Sequence, residues 1–118
     1  NAAVLQKDVR VCKQLSGVWT ESCRLHYAVQ LRDLATCGLM TRSESVAFCT
    51  ANVALAKRDE EVCQQIRAVQ YRDACYGKVA VQLGNASICE FITNADVKGE
   101  CGEDVRHASA VQTTQRNA

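Results

Sequence analysis

The sequence predicts an all-α fold: four tandem disulfide-linked helical hairpins stacked as a short solenoid within one domain. Three observations lead there. Eight cysteines recur in steps of 11, 14, 12, 14, 12, 14 and 12 residues. Apolar and helix-capping residues recur in phase with them. No proline interrupts a helix anywhere in the 118 residues. The two-step period is 26 residues, and fixed periods of about 20 to 50 residues mark repeat arrays. The hairpins are expected at about 8–32, 33–58, 59–84 and 85–112, with a polar tail at 113–118.

The first arm of each hairpin, helix A, opens four residues before a cysteine. Asp8, Asp33, Asp59 and Asn85 stand there, and their side-chain oxygens suit an N-cap, where an orphan backbone N–H needs an acceptor. Three residues after the cysteine come Leu15, Met40, Ile66 and Ile92, and one residue before it Val11, Thr36, Val62 and Ile88. That spacing makes one mostly apolar stripe on a helix of about two turns.

The second arm, helix B, is longer. Four residues before its cysteine come Trp19, Ser45, Tyr71 and Val97; four after come Tyr27, Val53, Val79 and Val105. Five after come Ala28, Ala54, Ala80 and then Arg106, and eight after come Leu31, Lys57, Leu83 and Ser109. This is an amphipathic helical pattern, and the recurrent alanine predicts close helix–helix approach. Turns between A and B are expected at Ser16-Gly17, Thr41-Arg42-Ser43 and Thr93-Asn94-Ala95-Asp96, with Thr41 and Glu44 able to form a capping box. The third such turn, around Arg67-Ala68-Val69-Gln70, has no good turn residue and follows from the period alone. Turns from B to the next A are expected at Arg32-Asp33, Arg58-Asp59 and Gly84-Asn85, where the basic residues also suit a helix C-terminus.

Eight cysteines allow 105 pairings, and the period leaves two schemes. One pairs within hairpins: Cys12–Cys23, Cys37–Cys49, Cys63–Cys75 and Cys89–Cys101. The other pairs between hairpins: Cys23–Cys37, Cys49–Cys63 and Cys75–Cys89. The second strands Cys12 and Cys101 at opposite ends; the first leaves no orphan and its pairs straddle the A–B turns, so it is the expected one. Metal binding is the rival use. Structural zinc sites favour close pairs such as C-x-x-C, yet no two cysteines here are closer than 11 residues, and His26 and His107 are the only histidines. No metal and no cofactor is expected.

Composition narrows the function classes. A chain 47% hydrophobic with a net charge of +1 is not of the disordered kind, and it has no electrostatic reason to seek nucleic acid or an anionic membrane. No apolar run approaches the roughly 18 residues of a membrane span. Paired cysteines at this density point to an oxidising compartment, extracellular or at the cell surface. The chain opens on Asn1 rather than methionine, as expected after signal-peptide cleavage or for a trimmed fragment.

The stretch Asp59-Glu-Glu-Val-Cys63-Gln-Gln-Ile66, followed by Tyr71-Arg-Asp-Ala-Cys75-Tyr76-Gly-Lys-Val79-Ala80, resembles a disulfide-stapled helical repeat of extracellular proteins and lipoproteins of bacteria and archaea. The resemblance covers about residues 8 to 112. In shape it is similar to tetratricopeptide and Sel1-like hairpin arrays, whose usual role is protein interaction. It departs from them in its shorter period and in lacking their Trp/Gly/Pro consensus. It departs from twin C-x9-C mitochondrial proteins too, since ten or eleven residues separate each pair here.

Catalysis finds little support. The two histidines fall on different B helices, no serine sits in a G-x-S-x-G setting, and no Gly-rich phosphate loop is present. Glu60-Glu61 and Glu103-Asp104 read as helix-dipole or surface carboxylates rather than an acid/base pair. Trp19 and Tyr71 share a repeat position and read as packing residues. Phe48, Tyr76 and Phe91 lie off the main stripe, either as exposed anchors for a partner or as neighbours in the stack. Asn85-Ala86-Ser87 matches a glycosylation sequon, but Asn85 is also an expected N-cap, and capping is the preferred reading. The fourth hairpin is more polar, as a terminal repeat should be, and the tail from Ser109 is expected to fray. The expected function is a non-catalytic extracellular structural or protein-binding module. Its partner is another extracellular protein or copies of itself, the latter as a filament or surface layer. The alternative is a small secreted effector or enzyme inhibitor with a disulfide-hardened surface.

Overall fold

In the computed structural model, the backbone is described for residues 2–117 and the side chains for residues 2–108. The described residues form six α-helices, α1 (Ala2–Gln6), α2 (Val18–Leu31), α3 (Leu34–Cys37), α4 (Ser43–Lys57), α5 (Val69–Leu83) and α6 (Ala95–Asn117). Three 3-10 segments lie between them, at Val9–Gln14, Glu60–Gln65 and Ala86–Phe91. No strand occurs among the described residues, and the fold is all-α.

Helices α2, α4, α5 and α6 are the B arms. The A arms are the three 3-10 segments and the four-residue α3. Too short to repay α-helix nucleation, most of them adopt the tighter 3-10 form, which suits short runs. With three residues per turn, residues three apart share a face, which puts each A-arm cysteine in line with Leu15, Ile66 or Ile92. Those residues end the arm in extended conformation, their N–H groups donating to the carbonyls of Cys12, Cys63 and Cys89.

The caps stand where the sequence places them. Asp8 accepts from the Arg10 N–H, Asp59 from that of Glu61 and Asn85 from that of Ser87, each at 3.0 Å. Asp33 is also an N-cap, but its carboxylate accepts from the Thr36 hydroxyl at 3.0 Å instead. The Thr41–Glu44 capping box does not form. Arg42 precedes α4 without a side-chain cap bond, and the Thr41 hydroxyl donates to Glu21 of α2 at 3.2 Å. At the fourth A–B turn, Asn94 caps α6 by accepting from the N–H groups of Asp96 and Val97.

Three of the four B arms, α2, α4 and α5, end in one recurrent motif. Arg32, Arg58 and Gly84 take left-handed φ values of 54°, 56° and 62°. The N–H of the next residue, Asp33, Asp59 or Asn85, reaches back to the carbonyl of Ala28, Ala54 or Ala80 at 2.8 to 3.0 Å. This bond, spanning the helix's last turn, satisfies one of its orphan carbonyls. One residue therefore closes a B helix with its backbone and opens the next A arm with its side chain.

Helix α1 lies ahead of the first cysteine and outside the four expected hairpins. Lys7 has φ 54°, and the Asp8 N–H donates to the Ala3 carbonyl at 3.0 Å. Ala3 is fully buried, as are Ala28, Ala54 and Ala80. Residues 2–7 thus repeat the closing turn of a B helix. At the other end, Ala110 and Val111 occupy the places of the left-handed residue and the capping Asp or Asn. With no stop signal there, the backbone of α6 is helical through Asn117. Ala118, the end of the expected tail, lies outside the described residues.

Packing follows the chain order. Helix α2 contacts α4, α4 contacts α5, and α5 contacts α6, with each A arm lodged between its own B helix and the preceding one. The four bridges are Cys12–Cys23, Cys37–Cys49, Cys63–Cys75 and Cys89–Cys101, with Cα–Cα distances of 5.5, 5.4, 5.6 and 5.8 Å. All eight half-cystines are buried, so the bridges are also a large part of the core. The radius of gyration is 16.1 Å and the extents are 46 × 36 × 21 Å. A compact chain of this length would have a radius of about 13 Å, so the molecule is elongated.

Each bridge closes a loop of 11 or 12 residues, which chain-entropy arguments make worth about 3 kcal/mol. Replacing Cys63 and Cys75 together by serine is expected to lower the unfolding free energy by roughly that amount in urea titration. The loss will exceed that of any exposed surface substitution.

Candidate interaction surface

The residues that tie hairpins together also shape the surface. Asp73 of α5 is buried, and its two carboxylate oxygens accept from the N–H groups of Thr93 and Asn94 in the next A–B turn, at 3.0 and 3.2 Å. Glu21 of α2 does the same for Thr41, accepting from its N–H at 3.3 Å and from its hydroxyl. Both acids stand two residues before the second cysteine of their hairpin. Ala47 and Gly99 hold that place in the other two hairpins. The turn facing Ala47 is Arg67-Ala68, which has no side-chain cap. The signal was therefore present in the sequence: an acid at that place precedes a hairpin with a threonine in its A–B turn. Further ties run from Arg24 to the Leu39 carbonyl at 3.3 Å and from the Gln82 amide N–H to the Leu55 carbonyl at 2.8 Å.

Between α2 and the start of α4 these ties leave an open groove of about 780 Å³. Val18, Leu25 and Phe48 form its apolar lining over buried Met40, with Arg42 and Glu44, 3.6 Å apart, at its edge. A second hollow of about 480 Å³, between α5 and α6, is lined by Leu55, Lys78, Glu100 and Asp104 among others. The first combines a large exposed aromatic with aliphatic walls and a few charges, the usual make-up of a site for a protein segment or small ligand.

The three aromatic candidates separate. Phe48 is exposed and lines the groove. Phe91 is also exposed, but it packs on Tyr76 with ring centroids 5.4 Å apart. Tyr76 is only 5% exposed. Its ring packs at the contact between hairpins three and four, which makes it a neighbour in the stack rather than an exposed anchor. Burial also pushes its phenol above the ordinary tyrosine value of 10, with the Arg72 charge pulling the other way.

Asn85 is spent as an N-cap acceptor, although it and Ser87 are exposed. His26 and His107 are both exposed, on α2 and α6. Among the described residues, no group of three or more His, Cys, Asp or Glu side chains could hold a metal ion. No described helix is long and apolar enough to cross a membrane. Asp8, half-buried, is held below the ordinary carboxylate value by its hydrogen bonds from Arg10. No family model, curated protein or solved structure matches the chain.

Asp73→Ala leaves two backbone donors without their acceptor and is expected to cost about 1–3 kcal/mol. Faster hydrogen exchange at the Thr93 and Asn94 amides will report it. Glu21→Ala, at a wetter site, should cost less. For Tyr76 the folded state favours the neutral phenol. Its stabilising share is complete below the unfolded value near 10 and is lost as pH rises through the raised folded value. In an alkaline phenolate-absorbance titration, Tyr76→Phe is expected to remove a step lying above 10.

Proposed function

We propose that the chain is a non-catalytic structural or protein-binding module of an extracellular or cell-surface protein, its hairpins stacked as a short solenoid. The observation that carries this reading is that every cysteine is bridged within its own hairpin. Bridges persist in oxidising compartments, and here they hold short arms rigidly enough to present a fixed surface. The resemblance to disulfide-stapled hairpin repeats of bacterial and archaeal extracellular proteins and lipoproteins points the same way, as does the elongated shape. The partner is a protein segment with an apolar side chain for the groove around Phe48 and polar groups for Arg42 and Glu44.

Two measurements test this. Intact mass after alkylation, with and without prior reduction, is expected to reveal eight masked thiols in the native protein. Free thiols, or a metal released with them, would overturn the reading. Photo-crosslinking from a residue beside Phe48, on the producing cell's extracellular fraction, is expected to trap one protein reproducibly. Phe48→Ser is expected to abolish that crosslink while changing stability by less than about 0.5 kcal/mol, as exposed substitutions do.

A further inference from the structure

The two ends of the row differ. At each internal junction the A-arm residue three after the cysteine is covered: Met40, Ile66 and Ile92 are 7%, 4% and 2% exposed. Met40 shares a buried cluster with Leu25 and Ala28 of the preceding B helix, and Ile66 shares one with Ala47, Ala51 and Ala54. Leu15, at the same place in hairpin one, is 47% exposed, and Trp19 and Leu5 are exposed too.

Helix α1 explains why the cover is only partial. It contacts the Val9–Gln14 arm and α2 as a preceding B helix contacts the next hairpin elsewhere. Ala3 lies buried in a cluster with Cys12, Cys23 and Tyr27, as Ala28 lies with Cys37, Cys49 and Val53. In the repeat frame Asn1 corresponds to Asn52 and Lys78, so α1 supplies only the last turns of the junction. The part that would cover Leu15, equivalent to Leu25 or Ala51, precedes Asn1 in that frame.

We infer that the face formed by Leu15, Trp19 and Leu5 is a docking surface for a further hairpin of this same kind, whose B helix runs continuously into α1. Three complete junctions in the same molecule show the geometry, and the contact made by α1 is its established portion. A second copy stacked head to tail fits poorly. The second half of its α6 would need the space that α1 fills, and Arg106 would stand where the closely packed alanines stand. The exposed Glu103, Arg106 and His107 make this face of α6 polar, unlike the face at Leu15.

This inference rests on the hairpin-module reading. Its test prefixes the full chain with a copy of residues 59–77, or in a second variant residues 33–51, which restores the frame through Asn1. The added cysteine pair is expected to be masked in intact mass along with the native eight. Trp19, the single tryptophan, is expected to shift its emission to the blue, and the melting midpoint to rise by roughly 5 °C. Leu15→Ser should leave the midpoint of the native chain nearly unchanged and remove the rise in the extended one. If neither prefix moves the Trp19 emission, or protease trims both while sparing the rest, the inference is overturned. Concentration-dependent growth of the native chain, with Trp19 buried in the assembly, would overturn it in favour of copy-to-copy docking. In each of these cases eight masked thiols leave the module reading standing; free native thiols would bring down that reading instead.

Discussion

The structure depends on a covalent clamp between a very short arm and the middle of a long helix. A six-residue 3-10 segment has too few hydrogen bonds to persist alone. Bridged to the neighbouring B helix, it keeps its place and delivers its apolar stripe to the core. Four such bridges, at about 3 kcal/mol each, are together comparable with the whole stability of an ordinary domain. The hydrophobic share of the core is correspondingly modest. Apart from the half-cystines it is largely alanine, valine and isoleucine, with Tyr27 and Tyr76 as its large members.

The bridges act within hairpins; order between hairpins comes from a shared residue. Asp33, Asp59 and Asn85 each donate a backbone N–H to close one helix while their side chains organise the next arm. That double use fixes the angle at which each hairpin leaves the last, with no glycine needed at two of the three sites. Arg32 and Arg58 accept left-handed backbone instead, a conformation that disfavours side chains but places a basic group at the negative end of a helix dipole. Where the motif is lost, at Ala110-Val111, the helix continues.

A surface follows from this construction. Because bridges and caps hold the backbone, the outward positions of the B helices are released from packing duty and can vary. Phe48 uses one for an aromatic on a groove, whereas the same position carries Ser22, Ala74 and Glu100 in the other hairpins. Junction ties vary too. Glu21 and Asp73 bind the next turn, while Ala47 leaves it to the backbone, so the hairpins differ in how firmly each grips its successor.

Much of this was legible in the residues. The period of the cysteines, the Asp and Asn caps and the alternation of short and long arms all come from local rules, since caps and helical periodicity act within a few residues. The chain also indicated the pairing, because one scheme alone leaves no cysteine without a partner. What required the folded molecule was contact across the repeat. The burial of Tyr76 against Phe91, the diversion of Thr41 to Glu21 and the buried duty of Asp73 each join residues 15 to 20 apart or more in sequence, and helical periodicity does not reach that far. The role of residues 2–7 was hidden for a related reason: they carry the alanine and the basic–acidic stop of a B helix without its cysteine. Only their packing on Cys12, Cys23 and Tyr27 shows which part of the pattern they complete.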